Sequence, residues 1–185
     1  MIGIKVMSDK NNNILSVAMN YALPLGLFWV FKYLFAIGGS YHDIFKYIFQ
    51  LLSIGTPVVF YVLLCRYRDV ALGGKILYGQ CILFSLLLFI FASIPEAVIM
   101  SLHLLIINPE IVAEQNRLVF DLMDKMKMVN INSAAYDQTK SFLSSYGALY
   151  YTASNVIGNV IIGFCLSLIL GYFVSIKSPN PTQND

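Results

Sequence analysis

Four long apolar blocks, separated by polar stretches, organise this chain. They are ILSVAMNYALPLGLFWVFKYLFAI at 14–37, IFKYIFQLLSIGTPVVFYVLLC at 44–65, the run 76–107, and YYTASNVIGNVIIGFCLSLILGYFVSI at 150–176. A helix rises 1.5 Å per residue, so about 20 apolar residues cross the roughly 30 Å hydrocarbon layer of a bilayer. Every block reaches that length, and the pattern predicts an all-α integral membrane protein with four transmembrane helices. Pro24 and Gly26 do not interrupt the first block, because membrane helices tolerate both. Lys32, near its far end, is expected to lay its stem along the helix and lift its ammonium to the interface. The first block is too long for the core of a cleaved signal peptide, and further spans follow it. The third block, at about 48 Å, exceeds the bilayer, so its helix must project, tilt or break, with Pro95 the place for a kink.

The polar stretches complete the plan. Residues 1–13 form a polar leader, GGSYHD at 38–43 a tight turn, RYRDVALGGK at 66–75 a short basic loop, and 178–185 a polar tail. The one long connection, the outer loop 108–149, contains NPEIVAEQNRLVFDLMDKMKMV. Asn108 suits a helix cap and Pro109 a first turn. Ile111, Leu118, Leu122 and Met126 form an apolar stripe, with Val112, Val119 and Met123 beside it. This predicts an amphipathic helix over 109–128, in the interface plane or packed over the bundle. NINSAAYDQTKS then reads as a polar turn before another helical start.

Composition sharpens this picture. Charged residues are 12% of the chain, about half the level of a soluble domain. The net charge of +2 comes without an arginine-rich arm or an aromatic-basic face, so a nucleic-acid partner has no support. The bilayer itself is the expected partner. Lys and Arg cluster most densely in the 66–75 loop, and the positive-inside rule then places both termini in the cytoplasm. Cys65, Cys81 and Cys165 lie in or beside apolar blocks without a CxxC pair, which predicts packed thiols rather than a disulfide framework.

Candidate chemistry is sparse. Glu96 follows Pro95 inside the third block, where a carboxylate is costly and often functional. Measured from a cytoplasmic anchor near Ile76 it lies about 30 Å along the axis, which places it at the outer end of the span. Lys46 and His103 are its expected neighbours, His103 being seven residues on and so on the same helix face. Asn155 and Asn159, four apart, are expected to hydrogen-bond across helices. Gln50, Ser53 and Thr56 share a face expected to look into the bundle. Gly163, Ser167 and Gly171 repeat at four, a spacing that lets another helix approach, either within the bundle or in self-association through span four. Gly73–Gly74 lacks the spacing of a phosphate loop and leads flexibly into the third span. No HExxH, GxSxG or Walker pattern occurs, so no catalytic, cofactor or metal site is expected.

The order of LGGKILYGQ with Gly73, Gly74, Gly79 and Gln80, of INPEIV with Asn108, Pro109 and Glu110, and of Gly158, Gly163 and Gly171 in the last span resembles a known family. It is the four-span bacterial membrane family called domain of unknown function 4199, typical of Bacteroidota, and the likeness covers roughly residues 12–177. Glu96 and the Asn155–Asn159 pair stand outside that pattern. The resemblance implies the fold and a bacterial inner membrane, and brings no activity. The expected role is a non-enzymatic accessory or scaffold protein with a membrane-protein partner. The alternatives are a subunit of a small oligomeric transporter or channel, and a membrane-embedded enzyme or enzyme partner.

Overall fold

A computed structural model describes the backbone of residues 2–127 and 133–176 and the side chains of 14–125 and 134–176. The expected tail at 178–185 and the side chain of Met126 lie outside these. Five helices follow in order: α1 Ile2–Gly38, α2 Asp43–Arg66, α3 Tyr78–Leu102, α4 Glu110–Lys127 and α5 Ser133–Ile176. Wider π-type turns extend α2 over Tyr67–Ala71 and α3 over His103–Ile107. Among the described residues four stretches are long and apolar enough to cross a membrane: Ile14–Gly38, Asp43–Ala71, Tyr78–Ile107 and Ala134–Ile176. The protein is a multi-pass membrane protein with a shorter amphipathic helix, α4, between its third and fourth spans. Residues 133–149, expected in the loop, are helical, since SAAYDQTK is rich in helix-favouring Ala, Gln and Lys. The helical path of α5 is broken at Tyr146, whose φ is −126° and ψ 15°. Pro24, Pro57 and Pro95 all sit inside helices, and α3 continues through Pro95 as one element.

The chain divides into two compact units, residues 1–96 with 156–185 and residues 97–155. The first is a bundle that is apolar both in its core and on its outer face. Ala18, Ala22, Leu25 and Trp29 of α1 repeat at four, three and four and are buried. They meet Phe60 and Leu64 of α2 and Phe84, Leu88, Phe89 and Ala92 of α3. Leu15, Met19, Leu23, Leu27 and Phe31 on the opposite face of α1 are exposed although equally apolar. A helix apolar on all sides suits a surrounding hydrocarbon. Aromatic rings fill the middle: Phe89 lies edge-on to Trp29 and to Phe60, each at 5.3 Å, and Tyr67 stacks on Phe84 at 3.9 Å.

Glycines set the closest approaches. A Cβ on Gly26 would stand 2.7 Å from Pro95 Cγ and 3.0 Å from the Ala92 carbonyl, so α1 and α3 touch there. Gly163 lies under the Phe89 ring, and a Cβ on Gly171 would stand 3.0 Å from Cys81 Cβ. The small residues of α5 are therefore turned to α3, with Ser167 fully buried between them in sequence. Before α3, Gly73 and Gly74 take φ of 65° and 90°, a region that costs other residues about 1–2 kcal/mol. Gly73→Ala is expected to lower stability by about 1 kcal/mol, measured by thermal unfolding in detergent, with little change in helix content.

In the second unit α4 packs on the start of α5. Asn116 is its clasp: Nδ2 donates to the Leu143 carbonyl at 3.0 Å, and Oδ1 accepts from the Tyr151 hydroxyl at 2.9 Å. Gly147 admits α4, for a Cβ there would meet Val112 at 2.8 Å. The packed face of α4 is thus Val112, Asn116, Val119 and Met123, while Leu118 and Leu122 of the expected stripe are exposed. Asn116→Ala leaves a tyrosine hydroxyl and a carbonyl without these partners, at about 1–3 kcal/mol. Faster amide exchange over 133–150 with unchanged exchange over 14–66 is the expected signature.

Candidate functional site

Three helices of the first unit bring polar side chains together inside an apolar bundle. Glu96 of α3 is only 3% exposed. Its Oε2 accepts from Asn159 Nδ2 of α5 at 2.7 Å, and its Oε1 lies 3.8 Å from Lys32 Nζ of α1. The first contact is a short, charge-assisted hydrogen bond. The second is an ion pair longer than a hydrogen bond, held by charge rather than by a shared proton.

Aromatic faces hold Lys32 in place. Its ammonium stands 5.3 Å from the Phe49 ring centre, from α2, and 5.8 Å from that of Trp29, one turn back on α1. Ring faces are electron-rich, so both attract the cation. All four spans thus contribute to one cluster. The Trp29 indole N–H is buried with no hydrogen-bond acceptor among the described residues, so ring packing and the Lys32 cation hold that ring.

The close contact of Gly26 with Pro95 explains why the charges meet. It fixes α1 against α3 just before both polar residues, and Glu96 is the next residue after Pro95.

This corrects several sequence expectations. Lys32 does not reach for the interface; it is buried, because its face of α1 is covered. Lys46 is not the partner of Glu96, for it is exposed and bonds Asp43 at 2.8 Å. Gln50 does not look into the bundle: it is exposed, while Thr56 is buried and Ser53 returns its hydroxyl to the Phe49 carbonyl at 2.8 Å. Cys81 is buried and Cys65 half-buried, but Cys165 is exposed on the apolar surface of α5 rather than packed. His103, buried, and Asn155, half-buried, belong to the second unit.

Two residues whose contacts sequence reasoning did not find now matter. Lys32 carried a visible signal, since a cation and an anion within two apolar blocks are natural partners. Asn116 carried none, because its amide looked like part of a polar helix face.

Among the described residues no group of three or more His, Cys, Asp or Glu side chains is placed to hold a metal ion. No curated protein and no solved structure matches the chain. A family model described as "Protein of unknown function (DUF4199)" matches residues 20–175. With most of its length matched, including every helix that builds the cluster, the chain belongs to the DUF4199 family.

Proposed function

We propose that this protein is a non-enzymatic accessory or scaffold protein of a bacterial inner membrane, with both termini in the cytoplasm and another membrane protein as its partner. The observation that carries this reading is that Glu96 already has internal partners. Its carboxylate is taken up by Lys32 and Asn159 in a nearly closed, aromatic-walled setting. A transported ion would have to displace both. An opposite pair of charges brings no net charge into the hydrocarbon and ties three helices into one register, which is the work of a structural clasp. The basic stretch 66–75, expected as a loop but helical through Ala71, supports the orientation, with Arg66 and Lys75 exposed. The turning of Gly163 and Gly171 to α3 favours an internal seam over self-association through span four.

Capture of the tagged protein from membranes in gentle detergent, followed by mass spectrometry, is expected to return one stoichiometric membrane-protein partner. Thiol labelling from outside intact cells is expected to reach a cysteine at position 114 and not one at position 70; the reverse overturns the orientation. Purified protein in vesicles is expected to carry no ion flux. A flux that Lys32→Met/Glu96→Leu abolishes while the fold persists would overturn the scaffold reading in favour of the transporter.

A further inference from the structure

The break in α5 at Tyr146 is not explained by the sequence around it. Sharp bends in helices come from proline, from glycine and serine, or from a side chain inserted into the backbone hydrogen-bond ladder. Residues 133–176 contain no proline. Gly147 follows the break, yet Gly158, Gly163 and Gly171 lie in the same helix where its path is regular. Ser144 returns its hydroxyl to the Ser141 carbonyl at 3.0 Å. Ser167 and Ser175 make the same bond, to Phe164 at 2.7 Å and to Tyr172 at 2.9 Å, without a break.

What sets Tyr146 apart is α4. The buried Asn116 of that helix donates from Nδ2 to the Leu143 carbonyl at 3.0 Å, three residues before the break. In an unbroken helix that carbonyl belongs to the Gly147 N–H. The amide is thus a side chain inserted into the ladder at the broken turn. We propose that α4 is a removable wedge that holds α5 bent at Tyr146, and that α5 straightens when α4 undocks.

Both arms of the bend are gripped by α4. Before the break it holds the Leu143 carbonyl, and the Lys140 ammonium stands 5.6 Å from the centre of the Phe120 ring. After the break the Tyr151 hydroxyl donates to Asn116 Oδ1 at 2.9 Å. At the break itself a Cβ on Gly147 would stand 2.8 Å from Val112 and 3.2 Å from both polar atoms of the Asn116 amide. One amide therefore splints the two arms across Tyr146. Docking of α4 and bending of α5 are then a single equilibrium. Whatever draws α4 away favours the straight helix, and whatever straightens α5 loosens α4. The outer face of α4 carries exposed Glu114, Arg117 and Asp121, and a pull on that face is passed to the fourth span as a change of bend.

The test reads the backbone at Tyr146 directly. Full-length protein in nanodiscs, labelled with 13C-carbonyl tyrosine and 15N-glycine, gives signals from its two Tyr–Gly pairs, Tyr78–Gly79 and Tyr146–Gly147. The wild-type Tyr146 carbonyl is expected outside the helical range of chemical shift. Asn116→Ala removes the amide, and Asn116→Asp keeps its size but loses the donor to Leu143. Both are expected to move the Tyr146 signal downfield into the helical range. Gln115→Ala, at the exposed neighbouring position, is expected to leave it unmoved. An unchanged Tyr78 signal, from the first unit, checks that each variant is folded. A helical shift at Tyr146 in the wild type overturns the proposal. So does a non-helical shift that persists in both folded Asn116 variants, which assigns the break to Gly147 and its neighbours.

Discussion

Lys32→Met is expected to destabilise the protein by about 3–5 kcal/mol, the cost of stripping one partner from a buried ion pair. The long apolar side chain keeps most of the lysine's volume, so the loss comes from Glu96, left buried with Asn159 but without its cation. Adding Glu96→Leu in the same chain is expected to recover most of that loss, because replacing both charges by apolar groups is often neutral or stabilising. Unfolding of the single and double variants in mixed micelles gives the coupling directly. Asn159→Leu removes only one hydrogen bond across the bundle and is expected to cost less, about 0.6–2 kcal/mol. A Lys32→Met variant as stable as the wild type would mean that the two charges do not depend on each other.

Gly163→Leu is the second substitution with a large expected effect. The Phe89 ring covers Gly163 so closely that even an alanine Cβ would collide with it. Relief by rotation is blocked, because Phe89 is fully buried and wedged against Trp29 and Phe60 at 5.3 Å each. Overpacking of this kind costs typically about 1–3 kcal/mol for an added methyl or two and more for a branched chain. Gly163→Ala should therefore already lower the melting temperature, and Gly163→Leu should separate α5 from α3. Shrinking the obstacle with Phe89→Leu is expected to restore part of the stability of Gly163→Ala. Gly158→Ala is the control. Its Cβ would meet nothing within 4 Å, so the change is expected to be neutral or to gain up to about 1 kcal/mol from helix propensity. Equal melting of the two alanine variants would remove Gly163 from the seam.

The apolar blocks by themselves determined that this is a four-span helical membrane protein, because the length of a span is set by bilayer thickness and the rise of a helix. The charged and apolar faces of α4 were legible for the same reason: periodicity is a property of the backbone. Which side of a span faces its neighbours was not legible. In a soluble helix the apolar stripe names the buried side, but Leu23 and Leu25 differ in burial and not in chemistry. Small residues were the better guide, and Gly163 and Gly171 do face a neighbouring helix. Only the tertiary structure decided the fate of the charges. Lys32 read as snorkelling, because it was placed against the water and not against Glu96. The contact of Gly26 with Pro95 aligns α1 with α3 and brings those two residues within reach. Asn116 shows the same limit in the second unit, where a side chain on a polar face becomes the clasp between two helices. Attraction between distant side chains depends on helix register, and register is chosen by close packing of whole surfaces.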